Sequence, residues 1–196
     1  MPDKNCSQGA TFMKKVEVVP HNSRWREEFE AEAKRVAAAL GGENVAAVHH
    51  IGSTAIPDIY AKPVIDLLVE VRDIIEVDGR SSAMQSLGYE VMGEFGIPGR
   101  RYFRKDDREG IRTHQIHAFE TGSAQIERHL AFRDYMIAHP AEARMYSELK
   151  RKLAAEHPQS PDEYMDGKDD FIKETDRRAA LWLIPQDDDG DGGGRA

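Results

Sequence analysis

The sequence predicts an α+β protein in which helices pack on one small mixed β-sheet and a helical segment follows toward the C-terminal end. Two observations predict this class. Short segments with strand character occupy the middle of the chain, and apolar residues recur at helical spacing before them and again after Ser123. At 196 residues the chain can bury a substantial core in one domain, whereas two full domains would be cramped.

The first predicted helix begins after Ser23 and ends near Gly41. Its apolar residues are spaced so that they form one amphipathic face. These residues are Trp25, Phe29, Ala33, Val36 and Leu40.

Five short strands are predicted after this helix. Glycines and Pro98 separate the later strands, as is typical of turns between strands. Together the strands predict the small mixed sheet. We expect strands at 45–51, 63–71, 89–92, 101–104 and 112–119, a turn or short helix at 54–61, and a helix at 79–87.

Helical patterns return in the last third of the chain. Ser123 is a suitable N-cap for one helix, and Pro140 suits the first turn of another. Pro158 and Pro161 then separate that helix from a last helix, which is expected to end at Pro185.

The composition of the two chain ends defines the predicted domain. Residues 1–12 and the acidic, glycine-rich residues 186–196 have little to bury, so we expect a disordered leader and a disordered tail. Residues 13–185 are then a single domain.

Charge and cysteine content exclude two classes of protein. The net charge of -8 argues against a general nucleic-acid binder, because phosphate backbones are held by an excess of Lys and Arg, although a local basic pocket is still allowed. Cys6 is the single cysteine of the chain, so an intrachain disulfide is excluded and a thiol nucleophile is not expected.

The sequence predicts a cytoplasmic protein without a membrane partner. No stretch approaches the roughly 18 apolar residues of a membrane-spanning helix, and residues 1–10 lack the apolar core of a signal peptide. The single cysteine fits a reducing compartment. A homo-oligomer is compatible with the sequence, which does not fix the oligomeric state.

The segment 49–71, with the sequence HHIGSTAIPDIYAKPVIDLLVEV, carries the clearest chemical signal. Gly52, Ser53 and Thr54 follow a predicted strand, so backbone amides and two hydroxyls converge on a site that suits an anion. Glycine lets such a ligand approach closely. A Gly-Ser-Thr turn is also a common helix cap, which is the structural alternative.

Asp66 interrupts the apolar strand that follows. Side chains alternate along a strand, so Asp66 shares a face with Leu68 and Glu70, while an unbroken apolar face points the other way. A carboxylate in such a strand is costly unless it is paired, hydrogen-bonded or bound to a cation. A Mg²⁺ ion that bridges this carboxylate and a phosphate is the natural ligand.

This arrangement resembles the nucleotidyltransferase superfamily, in which a Gly-Ser turn grips a triphosphate and a strand with alternating acidic residues binds two divalent ions. More narrowly, the chain is similar to the GrpB-like family over roughly residues 16–183. The resemblance is carried by the segments HIGSTAIPDIYAKPVIDLLV, RTHQIHAF and HLAFRDYMIAHP, by the Gly122-Ser123 turn, by the helix at 146–153, and by Tyr164 with KDDFI at 168–172. It implies a sheet of nucleotidyltransferase type and a nucleotide pocket.

The resemblance implies transfer of a nucleotidyl group from a nucleoside triphosphate to an unknown acceptor with the help of Mg²⁺. Gly52, Ser53 and Lys62 would hold the triphosphate, and Asp66 would bind the metal and act in catalysis. One departure puts this in doubt: the superfamily has a second carboxylate two residues after the first, where this chain has Leu68. Glu70 lies roughly 13 Å from Asp66 along a strand, too far to share an ion.

Two other functions therefore remain open. The first is a catalytically inactive module of the same fold that binds a nucleotide or another anion, and Leu68 is its best support. The second is a hydrolase in which His117 or His50 is the base and Asp66 holds a metal.

Histidines near the motifs are further candidates. His114 and His117 lie on opposite faces of a regular strand, and the family pattern favours His117 as a catalytic residue, metal ligand or phosphate contact. His50 precedes Gly52 by two residues and is the better pocket candidate of the His49–His50 pair. For both residues the alternative is a hydrogen-bonded structural histidine.

The remaining candidates are cations and one tyrosine. Lys62 and Arg101 could neutralise or line an anion site, or be ordinary surface residues. Tyr164 and Lys168 are four residues apart on a predicted helix and would touch a nucleotide base and phosphate, unless they form a capped helix with a snorkelling lysine.

Overall fold

A computed structural model describes residues 16–184 of the chain. The predicted leader, the predicted tail and the outermost residues of the predicted domain lie outside this range. Within it, no helix is both long enough and apolar enough to cross a membrane.

The structure confirms the predicted α+β class. The described strands are β1 (Val45–Ile51), β2 (Ile65–Val71), β3 (Glu90–Val91), β4 (Arg101–Asp106) and β5 (Arg112–Glu120). A 3₁₀ helix at Ser53–Ala55 follows β1. The described α-helices are α1 (Arg24–Ala39), α2 (Ile74–Asp78), α3 (Ser81–Ser86), α4 (Ala124–Ala138), α5 (Pro140–Glu156), α6 (Pro161–Asp166) and α7 (Asp169–Trp182).

The sheet is mixed, as predicted. Its strand order is β1-β2-β5-β4-β3, and the β2–β5 pair is parallel while the other pairs are antiparallel. In the parallel pair, Asp66 lies opposite Gln115 and Leu68 lies opposite His117. On the other side of β2, Asp66 pairs with Ile51, the last residue of β1.

The two faces of the sheet are covered by different helices. On one face Leu67 and Val69 pack in the main core with Val36 of α1 and Met84 of α3. On the other face Leu68 packs with Ile126 of α4. Because side chains alternate along β2, Asp66 lies on the α4 side of the sheet.

The segment between the 3₁₀ helix and β2 joins the sheet to the C-terminal helices. Ile56 and Ile59 pack with Met136 of α4 and with Tyr146 of α5. The backbone N–H of Tyr60 donates to Ser147 Oγ at 2.8 Å. These contacts place α5 beside the loop that follows β1.

The helix expected at 79–87 is confirmed as α3, but the separate helix α2 before it was not predicted. The N-terminus of α2 is capped by the Asp73 side chain, which accepts from the Ile75 N–H at 2.7 Å. The last helix divides into α6 and α7 at Gly167, where a Cβ atom would lie 2.4 Å from Leu153 Cδ2. At this point α5 packs directly against the backbone of Gly167, between the two helices.

Candidate functional site

Gly52 and Asp66 lie in direct contact where β1 ends. Gly52 has φ of 71° and ψ of -174°, a conformation that residues with a Cβ atom rarely adopt. A Cβ atom on Gly52 would lie 2.2 Å from Asp66 Oδ2. The pairing of Ile51 with Asp66 produces this approach, so glycine is required both by the backbone and by the carboxylate.

The Asp66 carboxylate is held in an unfavourable environment. Burial raises its pKa to about 7, although the charges of Lys168 and Lys62 act in the opposite direction. No hydrogen bond from a described residue contributes to this shift. The carboxylate is therefore available to an external partner.

The strand positions directly opposite Asp66, Ile51 and Gln115, carry no second carboxylate. Leu68 is fully buried, and Gln115 occupies the position opposite Asp66 on β5. Glu70 lies 3.8 Å from His49 Nε2. In residues 16–184 no three His, Cys, Asp or Glu side chains form a group suited to a metal. One Mg²⁺ fits, since it can be held by one carboxylate together with phosphate oxygens and water, but a two-ion site does not.

The structure brings two of the predicted site lysines near Asp66 and places a third predicted residue, Tyr164, beside one of them. The charges of Lys62 and Lys168 both act on its carboxylate. Lys168 Nζ lies 4.8 Å from the centroid of the buried Tyr164 ring. Burial lowers the pKa of Lys168 to about 8, while Asp66 raises it. Tyr164 and Lys168 are neighbours although Gly167 separates their helices, so the expectation of one continuous helix was wrong but the proximity was right.

Lys150 was not among the predicted site residues. This residue of α5 is 1% exposed, and its Nζ lies 4.4 Å from the centroid of the Tyr146 ring. A signal was present in the sequence. Lys150 stands at helical spacing between Tyr146 and Leu153, both of which are buried, so it occupies an apolar-face position of α5.

Thr54 and His50 stabilise the turn from inside the protein. The Thr54 hydroxyl donates to Val64 O at 3.1 Å and lies 3.0 Å from His50 Nε2, which therefore carries the proton. His50 stacks on Phe29 of α1 at 4.7 Å and pairs with Leu67, on the opposite face from Asp66. Burial lowers the pKa of His50 to about 4. Its predicted pocket role is replaced by a structural one, and Thr54 has no hydroxyl proton left for a ligand.

His117 shares the α4 side of the sheet with Asp66, whereas His114 lies on the other side. Its Nδ1 lies 3.3 Å from Arg100 Nη1, and its ring lies 5.6 Å from that of His129. Burial, followed by the positive charges of these neighbours, lowers the pKa of His117 to about 3. A neutral imidazole with so low a pKa is a weak base, which disfavours the predicted role of His117 in proton transfer.

Arg101 does not belong to the site, so its prediction as a pocket residue was wrong. Its guanidinium donates to Asp78 of α2 from Nε at 2.6 Å and from Nη2 at 2.8 Å. It pairs in the sheet with Ala118, whose side chain lies in the core on the α1 side. The arginine forms an ion pair between β4 and α2.

A separate cavity of about 450 Å³ lies between α4 and α7. Ala131, Asp176 and Ala180 contribute to its lining. None of the predicted site residues lines it, so it is distinct from the group around Asp66.

Comparisons with known proteins give consistent relatives. A family model described as "GrpB protein" matches residues 15–178. The UPF0157 protein YqkA of Bacillus subtilis is 47% identical over 169 residues, which cover 86% of this chain and 48% of the relative. The chain thus spans about half the length of YqkA. A crystal structure described as conserved protein GrpB from Enterococcus faecalis has a TM-score of 0.80 and 45% identity, covering 85% of this chain and 99% of that one.

A more distant structural likeness is to the Cid1 poly(U) polymerase H336N mutant bound to MgATP. It has a TM-score of 0.44 and 10% identity, covering 68% of this chain and 45% of that one. A score this low carries no inference about the present chain.

Proposed function

Since the chain belongs to the GrpB family, we propose that its Gly52–Asp66 site binds the phosphate chain of a nucleoside triphosphate and transfers the nucleotidyl group to an acceptor. Another phosphorylated small molecule is the alternative ligand of the same site. One observation carries this proposal. The half-buried Asp66 carboxylate lies against the Gly52 backbone, no hydrogen bond from a described residue contributes to the shift of its pKa, and two lysine charges act on it.

Each residue of the site has a distinct part in this proposal. Gly52 lets the Asp66 carboxylate lie directly against the turn, and the Ser53 hydroxyl donates to a phosphate bound beside it. Lys62 and Lys168 neutralise phosphate charge, as positioned cations do in phosphoryl chemistry. The buried Tyr164 holds the Lys168 ammonium over its ring.

Asp66 is the residue that would hold one Mg²⁺ together with phosphate oxygens. When bound, such an ion supplies charge neutralisation and polarisation of the phosphate under attack. In the transfer, an acceptor oxygen or nitrogen forms a bond to the α-phosphorus as the bond to pyrophosphate breaks. The acceptor proton passes to solvent. The described side chains contribute positioning and charge rather than covalent chemistry.

A second candidate is a binding module of the same fold that performs no transfer. Leu68 and Gln115 support it, because apolar and neutral side chains stand beside Asp66 where a two-ion site needs carboxylates. Phosphate binding would then be the complete function of the site.

Calorimetric titration with ATP, GTP, CTP and UTP, each with and without MgCl₂, tests the proposal. The wild type is expected to bind at least one of them, and Asp66→Asn is expected to lose the Mg²⁺ dependence. The matched control is Asp166→Asn, which makes the same change at an exposed aspartate. Pyrophosphate release with added alcohols and amines separates the two candidates: release supports transfer, and tight binding without release supports the module. A wild type that binds no nucleotide contradicts nucleotidyl transfer and leaves only a module for another anion.

A further inference from the structure

Lys150 is a buried lysine for which the described part of the chain supplies no counter-charge. It is 1% exposed, and its Nζ is buried without a hydrogen-bond partner among the described residues. Its contact is with the face of the Tyr146 ring, at 4.4 Å. Lysines are seldom fully buried unless they are paired, because an uncompensated buried charge is costly. A residue of this kind needs an explanation.

The neighbouring charge makes the position of Lys150 less favourable still. Burial, and then the positive charge of Lys168, lower the pKa of Lys150 to about 7. Asp66 acts on Lys168 but is not among the groups that act on Lys150. Lys150 and Lys168 are thus neighbouring positive groups, and of the two only Lys168 is acted on by the Asp66 carboxylate.

Lys150 nevertheless belongs to the same group of side chains as Asp66. The Tyr146 ring that it covers is affected by the charges of both Asp66 and Tyr164. Tyr164 in turn carries Lys168 Nζ over its ring at 4.8 Å. Lys150 and Lys168, whose charges act on each other, thus each lie over an aromatic ring in the region where the Asp66 charge is felt.

We infer that Lys150 is a ligand-binding residue that receives a second anionic group of the same ligand, so that the site selects di- and triphosphates over orthophosphate and monophosphates. This inference rests on the proposed function, because it defines the substrate class of the Gly52–Asp66 site. A phosphate oxygen supplies both the acceptor and the negative charge that Nζ lacks. Away from water, that pairing is stronger than it would be at the surface.

Two substitutions on α5 test the role of Lys150. Lys150→Met keeps an unbranched side chain and removes the charge. Lys152→Met is the matched control, because Lys152 has a side chain 70% exposed on the same helix and a Glu156 oxygen 3.9 Å from its Nζ. The probes are orthophosphate, pyrophosphate and tripolyphosphate, measured by calorimetry with circular dichroism to verify the fold.

The expected result is a change in selectivity. Lys150→Met weakens tripolyphosphate binding by about tenfold or more, as loss of a charge-assisted hydrogen bond predicts, and changes orthophosphate binding much less. Lys152→Met leaves all three affinities near those of the wild type. The melting temperature of Lys150→Met is equal or higher, because an uncompensated buried charge is removed.

Three results would overturn the inference. Wild-type affinity for tripolyphosphate in a folded Lys150→Met would remove Lys150 from the site and leave the proposed function intact. The selectivity can also be measured on the wild type alone. Equal affinities for orthophosphate and tripolyphosphate contradict the inference. A preference of about tenfold for tripolyphosphate supports it, even if Lys150→Met does not fold. A wild type that binds none of the three probes overturns the inference and the proposed function together.

Discussion

The Oδ2 atom of Asp66 lies 2.2 Å from the point that a Cβ atom on Gly52 would occupy. Two strands that pair at Ile51 and Asp66 bring the turn and the carboxylate together. The site is thus built into the sheet, because the end of β1 fixes where Gly52 stands and β2 fixes where Asp66 stands.

Gly52→Ala is predicted to destabilise the protein more than the same change at another glycine of positive φ. Gly110 is the matched control, because its φ is 77° and nothing lies within 4 Å of a Cβ placed there. Gly110→Ala incurs the positive-φ backbone cost of about 1–2 kcal/mol, and Gly52→Ala incurs at least as much, because its ψ of -174° lies in a region that is essentially limited to glycine. Gly52→Ala is expected to cost about 1 kcal/mol more, since the Asp66 carboxylate must move. Urea denaturation measures the difference, and equal losses would show that the contact is unimportant.

Ser53 and Thr54 are predicted to have separable roles. Thr54→Val removes two hydrogen bonds from a buried hydroxyl and leaves Val64 O and His50 unsatisfied. It should lower the free energy of unfolding by about 1–3 kcal/mol. Ser53→Ala should leave stability nearly unchanged and weaken phosphate binding. Denaturation and calorimetry on both variants measure this, and a large loss of stability in Ser53→Ala would contradict the assignment.

Asp66→Asn is predicted to change the pH dependence of stability. Burial raises the pKa of Asp66 from its ordinary value of 3.8 to about 7. The folded protein therefore holds a proton that the unfolded chain has lost between these pH values, so this group's contribution to stability is lost as pH rises from about 4 to about 7. As pH rises from 4 to 8, the free energy of unfolding of Asp66→Asn should increase relative to that of the wild type by on the order of 2–4 kcal/mol.

Denaturant unfolding of both proteins across this pH range measures the Asp66 effect. Asp166→Asn, at an exposed carboxylate, controls for the change in net charge. A difference between wild type and Asp66→Asn that is constant with pH would mean that the carboxylate is not held in an unfavourable environment.

His117→Gln is predicted to reduce the acid sensitivity of the fold. Burial lowers the pKa of His117 from 6.5 to about 3. As pH falls from about 6.5 toward 3, this histidine therefore gains a proton in the unfolded chain but not in the folded protein, and the folded protein loses stability. The wild type should thus lose stability relative to His117→Gln between pH 7 and pH 4. Thermal melts at several pH values follow this, and parallel curves would contradict it.

Local patterns predicted much of the sheet. The bounds of β1 agree with the strand expected at 45–51, because its start and its Gly52 end are visible in the sequence. The alternation of side chains along a strand correctly predicted that Asp66 and Leu68 share one face of the sheet. The same alternation predicted that His114 and His117 lie on opposite faces. These features depend on neighbours within one strand, which the sequence displays directly.

The features of the site that could not be predicted depend on contacts between segments far apart in the chain. The parallel pairing that sets Gln115 beside Asp66 joins strands far apart in the chain. His50 was expected in the pocket because it precedes Gly52, yet its partner Phe29 lies on α1. Lys150 was missed because a lysine on a mixed helix is usually solvated, and only the packing of α5 buries it.

The most direct test of the central claim is a crystal structure obtained after soaking with Mn²⁺ and a non-hydrolysable ATP analogue. The predicted result is density for the phosphate chain beside Ser53, an anomalous Mn²⁺ peak within about 2.0–2.3 Å of an Asp66 oxygen, and a phosphate oxygen within hydrogen-bond distance of Lys150 Nζ. Density for the analogue in the cavity between α4 and α7, or none at saturating concentration with Asp66 in an unchanged position, would contradict it.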